Sequence, residues 1–237
     1  MERMNKQILL DPRLQKCAEF VRQGVHVADI GTDHGYLPIA LLHNGKATAA
    51  VAADINEAPL ESAKRNAVKY GETQRMRLVL TDGLNGLNAN DADDIIIAGM
   101  GGELILRIVS EAAWLRDPKK HLVLQPMTTA AQLRAGLVAL GFHIDREEAV
   151  FDGRKIYSVL SVFYTGEAQE ALTPLFMHMG AIRPGSEHSA RYAESVSHNL
   201  SNKLKGVQHA GGDAETLRTV LEQIHTLYME GREEHDG

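Results

Sequence analysis

Apolar runs and amphipathic stretches alternate along the first part of the chain. Short apolar runs typical of buried strands lie at 25–30, 48–55, 76–80, 94–98 and 121–124. Apolar positions at helical spacing predict helices over 11–23, 37–43, 58–70, 103 to about 115, and 129–140. Strands that alternate with helices of this length predict βαβ units and a parallel sheet.

The pattern changes after Gly141. Two strand-like runs, 142–150 and 155–164, are joined by a segment that contains Asp152-Gly153. An Asp-Gly pair between such runs indicates a β-hairpin. A parallel sheet closed by an antiparallel hairpin resembles the Rossmann-like fold of class I methyltransferases, and we expect an α/β fold of that kind.

Beyond about residue 165 the sequence predicts helices only. A short helix within 168–180 ends before Arg183-Pro184-Gly185, and a longer one begins at Ser186 or Ser189 and continues to about residue 205. After a turn at 211–213, apolar positions at helical spacing predict a last helix over 217–228, followed by a disordered tail at 233–237. We therefore expect two domains: a Rossmann-like catalytic domain at 1–165 and a coiled-coil-like helical domain at 166–237.

Composition narrows the class of protein. The chain has 237 residues, a net charge of -6 and one cysteine, Cys17, so a disulfide framework within the chain is excluded. No apolar run approaches the ~20 residues of a membrane helix, and residues 1–6 lead into no signal-peptide core. These features predict a soluble cytoplasmic protein, and the acidic balance leaves nucleic-acid binding to local basic patches.

The loop after the first predicted strand, 29–35, combines glycines with acids. A dinucleotide-binding G-x-G-x-x-G motif would fall on Gly31, Asp33 and Tyr36, so two of its three glycines are missing. The acids would repel a pyrophosphate but suit S-adenosylmethionine, which is cationic and carries no phosphate. We expect this cofactor to be contacted by Asp29, Gly31, Thr32, Asp33 and Gly35.

Acids also follow the next two strands. Asp54, with Ile55, closes the second strand about 20 residues further on, where a carboxylate would bind the ribose hydroxyls; the alternative is a helix N-cap. Asp82-Gly83 follows the third strand, where we expect contact with the adenine amino group; the alternative is a plain turn.

The fourth and fifth strands end in further candidates. In this fold, Ala98, Gly99 and Met100 would lie beside the transferable methyl group. Gly101 and Gly102 would admit a flat substrate, unless these glycines serve packing only. Gln125 and Pro126 are candidates for a substrate contact, or simply end their strand.

The segments 28–38, 97–102 and 122–126 resemble the bacterial tRNA adenine-22 N1-methyltransferase family, with a looser match at 152–157. The family usually has Ser where Thr32 stands and Ala where Gly35 stands. The resemblance implies methyl transfer to N1 of an adenine in the D arm of tRNA.

Methylation at N1 leaves the base cationic, so a nearby carboxylate would stabilise the developing charge. Asp33 is the preferred candidate and Asp29 the second, whereas His34 would orient the base and Tyr36 would pack on its face. Asp33 has an alternative explanation, since Asp tolerates the left-handed backbone of a tight turn.

The resemblance implies tRNA as the substrate, and we expect the helical domain at 166–237 to contact it. Binding of tRNA requires cations. The candidates are Arg13, Arg154, Lys155, Arg191 and Lys203, each of which has a solvated surface as its alternative role. No metal site is predicted, and we expect a monomer or weak dimer. Two other functions remain open: a methyltransferase for a small molecule or protein, and a non-catalytic module that binds the cofactor.

Overall fold

The computed structural model describes residues 8–167, 172–210, 212 and 214–230. Its strands are β1 (Val25–Ile30), β2 (Ala47–Asp54), β3 (Met76–Leu80), β4 (Asp94–Gly101), β5 (His121–Thr128), β6 (Phe142–Asp152) and β7 (Lys155–Tyr164). Its helices are α1 (Pro12–Phe20), α2 (Tyr36–His43), α3 (Glu57–Tyr70), α4 (Gly102–Glu111), α5 (Ala130–Ala139), α6 (Pro174–Met179), α7 (Glu187–His209) and α8 (Glu215–Tyr228).

The strands form one sheet in the order β3-β2-β1-β4-β5-β7-β6. The first five are parallel, and β7 and β6 are antiparallel, so the predicted sheet closed by a hairpin is confirmed. The carboxyl ends of β1 to β5 lie at one edge of the sheet. The turn between β6 and β7 lies at the same edge, because Lys155 begins β7 and Leu160 pairs with Leu124 of β5.

Apolar side chains fill both faces of the sheet. On one face α2 and α3 bury Leu37, Leu41 and Ala63, and α1 contributes Phe20 to the same cluster. On the other face α4 and α5 pack against the alternate residues of the same strands. The α1 helix begins as Asp11-Pro12 predicts, since Asp11 Oδ1 accepts a hydrogen bond of 2.9 Å from Leu14 N.

Three strands end later than predicted: β6 slightly, at Asp152, and β4 and β5 by a longer stretch. β4 continues through Gly99, where the backbone is left-handed (φ 77°) and the register shifts, and β5 continues to Thr128. Pro126 is tolerated inside β5 because it pairs with Met100 on one side only; pairing with β7 ends at Leu124. The predicted strand ends at 98 and 124 were therefore wrong.

The helices after β7 form the predicted hairpin, in which α7 packs on α8. The α7 helix begins at a capping box, in which the N–H groups of Ser186 and Ser189 each donate to the other's hydroxyl at 3.0 Å. Leu200, Val220 and Ile224 are buried between the two helices. Residues 168–171 of the predicted short helix, positions 211 and 213 of the predicted turn, and the tail from 231 lie outside the described residues, as do residues 1–7.

A buried ion pair fastens these helices to the sheet. Arg134 of α5 donates to Glu147 of β6 (Nη2–Oε1 2.6 Å), and both side chains are buried. Arg134 also donates to the carbonyl oxygens of Met177 and His178 and to the Tyr192 hydroxyl. The predicted division near 165 stays a prediction. Within the described residues, no helix is both long and apolar enough to span a bilayer.

Candidate active site

The loop between β1 and α2 has a backbone that few residues adopt. Gly31, His34 and Gly35 have φ angles of 74°, 61° and 70°. A Cβ on Gly35 would lie 2.8 Å from the Ala63 Cβ, so glycine is required here by both backbone and space. The left-handed residue is His34 and not Asp33, so turn geometry does not explain the acid at 33.

Asp29 is buried at the base of this loop. Its Oδ2 accepts a hydrogen bond of 2.6 Å from the Thr32 hydroxyl. Burial, together with the negative charges of Asp54 and Asp33, raises the pKa of Asp29 to about 6 in spite of the hydrogen bond from Thr32. Asp29 is therefore a carboxylate held at a free-energy cost that a cationic ligand would offset.

The outer side of the loop carries the other predicted catalytic groups. The Asp33 side chain is 84% exposed, and its Oδ1 lies 3.2 Å from His34 Nε2. The His34 ring lies 5.9 Å from the Tyr36 ring, and Tyr36 is also exposed. An acid, an imidazole and a phenol thus share one open surface at the carboxyl edge.

Asp54 ends β2 next to this loop. Its Oδ1 accepts a hydrogen bond of 2.8 Å from Asn56 N, and Asn56 rather than Asp54 is the N-cap of α3. The alternative that Asp54 caps the helix was therefore wrong. Ile55 beside it is 62% exposed, an apolar surface that a ribose or adenine ring would cover.

Asp82 has a partner that the sequence did not predict. Arg107 of α4 donates to it (Nη2–Oδ1 2.9 Å), and this hydrogen bond lowers the pKa of Asp82. Gly83, with φ 58°, lies against Ile108. The carboxylate is thus committed to an ion pair at the position where we expected it to bind an adenine amino group.

The loop between β1 and α2 meets the end of β4 at Met100. Gly31 leaves room for the Met100 side chain, because a Cβ there would lie 2.1 Å from Met100 Cε. Ala98 is partly buried and packs with the α1 and α2 side of the core. Gly101 lies against the Thr128 hydroxyl, and a Cβ on Gly102 would lie 2.6 Å from the Thr129 carbonyl oxygen. Packing therefore accounts for glycine at 102.

Gln125 and Arg13 join the end of β4 to the β6–β7 hairpin. Gln125 is buried, and its Oε1 accepts hydrogen bonds of 3.0 Å from Gly99 N and from Arg13 Nη1. Arg13 Nε also donates to Asp152 at 2.7 Å, and its guanidinium lies 5.6 Å from the Tyr157 ring. The structure thus brings Arg13 to the site edge but engages its guanidinium. Asp152 and Tyr157 are site neighbours that the sequence reasoning missed.

The remaining predicted cations lie at the turn between β6 and β7 and on α7. Arg154 and Lys155 are exposed at the hairpin turn, and Lys203 is exposed on α7; none of them forms an ion pair within the described residues. Arg191 pairs with Glu194 at 3.1 Å. Pro126 is buried in β5. No group of three or more His, Cys, Asp or Glu suited to a metal occurs in the described part of the chain.

The carboxylates in and beside the loop between β1 and α2 fit a cationic cofactor without phosphate. Asp29, Asp33 and Asp54 are close enough for their charges to act on one another, and within the described residues none of them pairs with Lys or Arg. The comparison with known families agrees. The family model described as a methyltransferase domain matches residues 10–160. The tRNA (adenine(22)-N(1))-methyltransferase of Bacillus subtilis is 35% identical over 176 residues, which is 74% of each chain.

The chain belongs to this methyltransferase family. Solved structures of similar proteins extend the match past the sheet. A Streptococcus pneumoniae protein in complex with S-adenosyl-L-methionine is 30% identical, with a TM-score of 0.75, covering 88% of this chain and 98% of that one. M. capricolum TrmK in complex with S-adenosyl-homocysteine is 25% identical, with a TM-score of 0.75, covering 93% and 97%. The predicted family and Rossmann-like fold are confirmed.

Proposed function

We propose that this chain transfers the methyl group of S-adenosyl-L-methionine to N1 of adenine 22 in tRNA. The observation that carries the proposal is the set of carboxylates around the first loop, Asp29, Asp33 and Asp54, which no Lys or Arg of the described residues neutralises. Such a site suits a sulfonium cofactor, and the B. subtilis relative of the same family acts on that position of tRNA.

The bound cofactor supplies an electrophilic methyl group. Neutral adenine has a lone pair at N1, so the protein needs no strong base; it has to position the base and stabilise the positive charge that develops on it. Asp33 is exposed beside His34 and Tyr36, and in this role its carboxylate faces the methylated base. Asp29, buried below, balances the positive charge of the cofactor.

N1 lies on the Watson–Crick edge, so the target base must leave its pair or stack. The open surface formed by His34 and Tyr36 offers ring faces for a base that has been turned out. Exposed Arg154, Lys155 and Lys203 supply phosphate contacts around that position. The proposal places the enzyme in the cytoplasm, where tRNA is modified, as a monomer or weak dimer.

The test is to map the methylated nucleotide after purified protein is incubated with labelled cofactor and an unmodified tRNA transcript. We expect a single methyl group at N1 of adenine 22. Methyl transfer to another nucleotide, or to protein instead of RNA, would contradict the substrate assignment, and cofactor binding without turnover on any RNA would favour a non-catalytic module.

Asp33→Ala provides the matched variant. We expect at least a ~100-fold loss of turnover, equivalent to about 2.7 kcal/mol of transition-state stabilisation, with an unchanged melting temperature because the side chain is exposed. Near-normal turnover of Asp33→Ala on the same transcript would refute the role of this carboxylate.

A further inference from the structure

A cavity lies beside the end of β5, on the side of the C-terminal helices. It has a volume of about 340 Å³ and lies between the end of β5, the first turn of α5, the start of β7 and one face of α7. That volume falls at the lower end of the range of small-ligand sites, about 300 to 1,000 Å³. The sheet and the helical hairpin both form its walls, so a ligand here would contact both parts of the molecule.

The lining of this cavity is free of acids. None of the described residues that line it is Asp or Glu, although the whole chain has 31 acidic against 25 basic residues. Lys203 lines it without an ion-pair partner in the described part of the chain, alongside His178. Burial, then the positive charges of Arg134 and Lys203, lower the pKa of His178, in agreement with a positive local potential.

A larger cavity elsewhere in the molecule provides a contrast. It has a volume of about 690 Å³ and lies along β6 and the segment that precedes α7. Its lining includes Asp145, Glu147 and Glu148 as well as basic residues. An anion would therefore meet nearby carboxylates in the larger cavity but none among the lining residues of the smaller one.

The smaller cavity begins next to the loop expected beside the methyl group. Pro126 and Met127 line it, directly after Gln125, which accepts a hydrogen bond from Gly99 N. The Met127 sulfur also lies 3.4 Å from Arg13 Nη1. The cavity thus begins beside the segment that we expect next to the transferable methyl group.

Its chemistry is that of a nucleotide and not of a bare anion. Ile156, Tyr157 and Val196 present apolar and aromatic surface, whereas Ser195 and Asn199 on α7 add exposed hydroxyl and amide groups. Proteins that bind single-stranded RNA stack its bases on aromatic rings and recognise the base edges with polar side chains such as amides. Lys203 supplies the cation that a phosphodiester requires.

We propose that this cavity is a subsite for a nucleotide that neighbours the target adenine in the RNA strand, with its phosphate at Lys203 and its base or ribose against Tyr157. The inference rests on the proposed tRNA substrate and adds the path of the RNA strand. The strand would run from Gly99 and Met100 at the end of β4, past Pro126, to α7. Fixing a flanking nucleotide would hold the turned-out adenine in register.

Lys203→Glu and Lys205→Glu form the test pair. Both lysines are exposed on α7, and both variants make the same change of charge. Of the two, Lys203 lines the cavity and Lys205 does not. We expect Lys203→Glu to raise the KM for unmodified tRNA about tenfold and Lys205→Glu to raise it less than about twofold. The KM for cofactor and the melting temperature should not change in either variant.

Filling the cavity without a change of charge gives a second test pair. Asn199→Phe places a ring in the cavity, whereas Asn202→Phe places it elsewhere on the exposed surface of α7. Only Asn199→Phe should raise the KM for tRNA. For Lys203→Ala, the slope of log affinity against log salt should fall by roughly 0.7 to 0.9, the value for one phosphate contact.

Equal effects of the two glutamate variants on a tRNA that the wild type methylates would overturn the subsite and leave the proposed function standing. Loss of calorimetric binding of inorganic phosphate or adenosine monophosphate in Lys203→Glu, with an unchanged KM for tRNA, would also overturn it, in favour of a site for free anions. A wild-type protein that methylates no tRNA would remove the proposed function itself, and the subsite with it.

Discussion

Two buried aspartates lie at opposite ends of neighbouring parallel strands, Asp29 near the end of β1 and Asp94 at the start of β4. Asp94 accepts hydrogen bonds from Arg22 N at 2.8 Å and Arg22 Nε at 2.7 Å, and lies 2.9 Å from His121 Nδ1. Asp29 accepts one, from the Thr32 hydroxyl, within the described residues. The same side chain is thus fully supplied with donors at one edge of the sheet and poorly supplied at the other.

The difference is visible in the pKa values. Burial alone raises the pKa of a carboxyl, but at Asp94 the hydrogen bonds from His121 and Arg22 outweigh it, and the pKa is lowered. At Asp29 burial prevails and the pKa rises to about 6. A buried acid that the protein satisfies stabilises the fold, whereas a buried acid left short of donors is available to a ligand.

The largest effect we expect is on Asp94. Asp94→Asn replaces one acceptor with an amide N–H that faces the Arg22 donors, so the free energy of unfolding should fall by about 3 kcal/mol. Chemical denaturation at pH 7 measures this loss. A fall of less than about 1 kcal/mol would show that the Arg22 and His121 contacts contribute little.

The same substitution at Asp29 should have the opposite sign. Asp29→Asn removes a carboxylate whose burial is costly, so at pH 8 the free energy of unfolding should rise by about 1–2 kcal/mol, while the affinity for S-adenosyl-L-methionine falls at least about tenfold. Denaturation and calorimetry on the two Asn variants, side by side, provide the comparison. A destabilised Asp29→Asn protein would contradict it.

The pH dependence follows from the raised pKa of Asp29. The folded protein holds a proton on this group between pH 3.8 and about 6 that the unfolded chain has already released. The free energy of unfolding contributed by Asp29 therefore falls as the pH rises through that window, and is lower above it. Asp29→Asn should lack this segment of the wild-type pH profile.

Thr32→Val is the mildest of these changes. It keeps the shape of a buried side chain but removes the hydroxyl that donates to Asp29, so the pKa of Asp29 should rise further and stability should fall by about 1 kcal/mol. The pH at which cofactor affinity is half-maximal should move upward. Thr48→Val is the control, at an exposed threonine of β2 whose hydroxyl donates to the Val25 carbonyl oxygen at 3.3 Å. It should change stability by less than about 0.5 kcal/mol and leave the pH dependence of cofactor affinity unchanged.

The hairpin, the alternating strands and the acids of the first loop could be predicted because their signals are local in sequence. The partners of two other acids near the site, Asp82 and Asp152, could not be predicted. Arg107 meets Asp82 across 25 positions, and Arg13 meets Asp152 across 139, so only the packing of α4 and α1 brings them together. The late ends of β4 and β5 were also missed, because Gly99 and Pro126 usually end strands, and their pairing partners lie on other strands.

The Arg134–Glu147 pair has a consequence for how the chain unfolds. Separating α6 and α7 from the sheet would strip Arg134 of the carbonyl oxygens of Met177 and His178 and of the Tyr192 hydroxyl, while its charge remains in an opened core. Partial opening at this junction is therefore penalised, and the sheet and the helical hairpin should melt in one cooperative transition. In a protein shortened to its first 165 residues, Arg134 would lack these partners from the start. Truncation is therefore a poor route to a minimal catalytic unit.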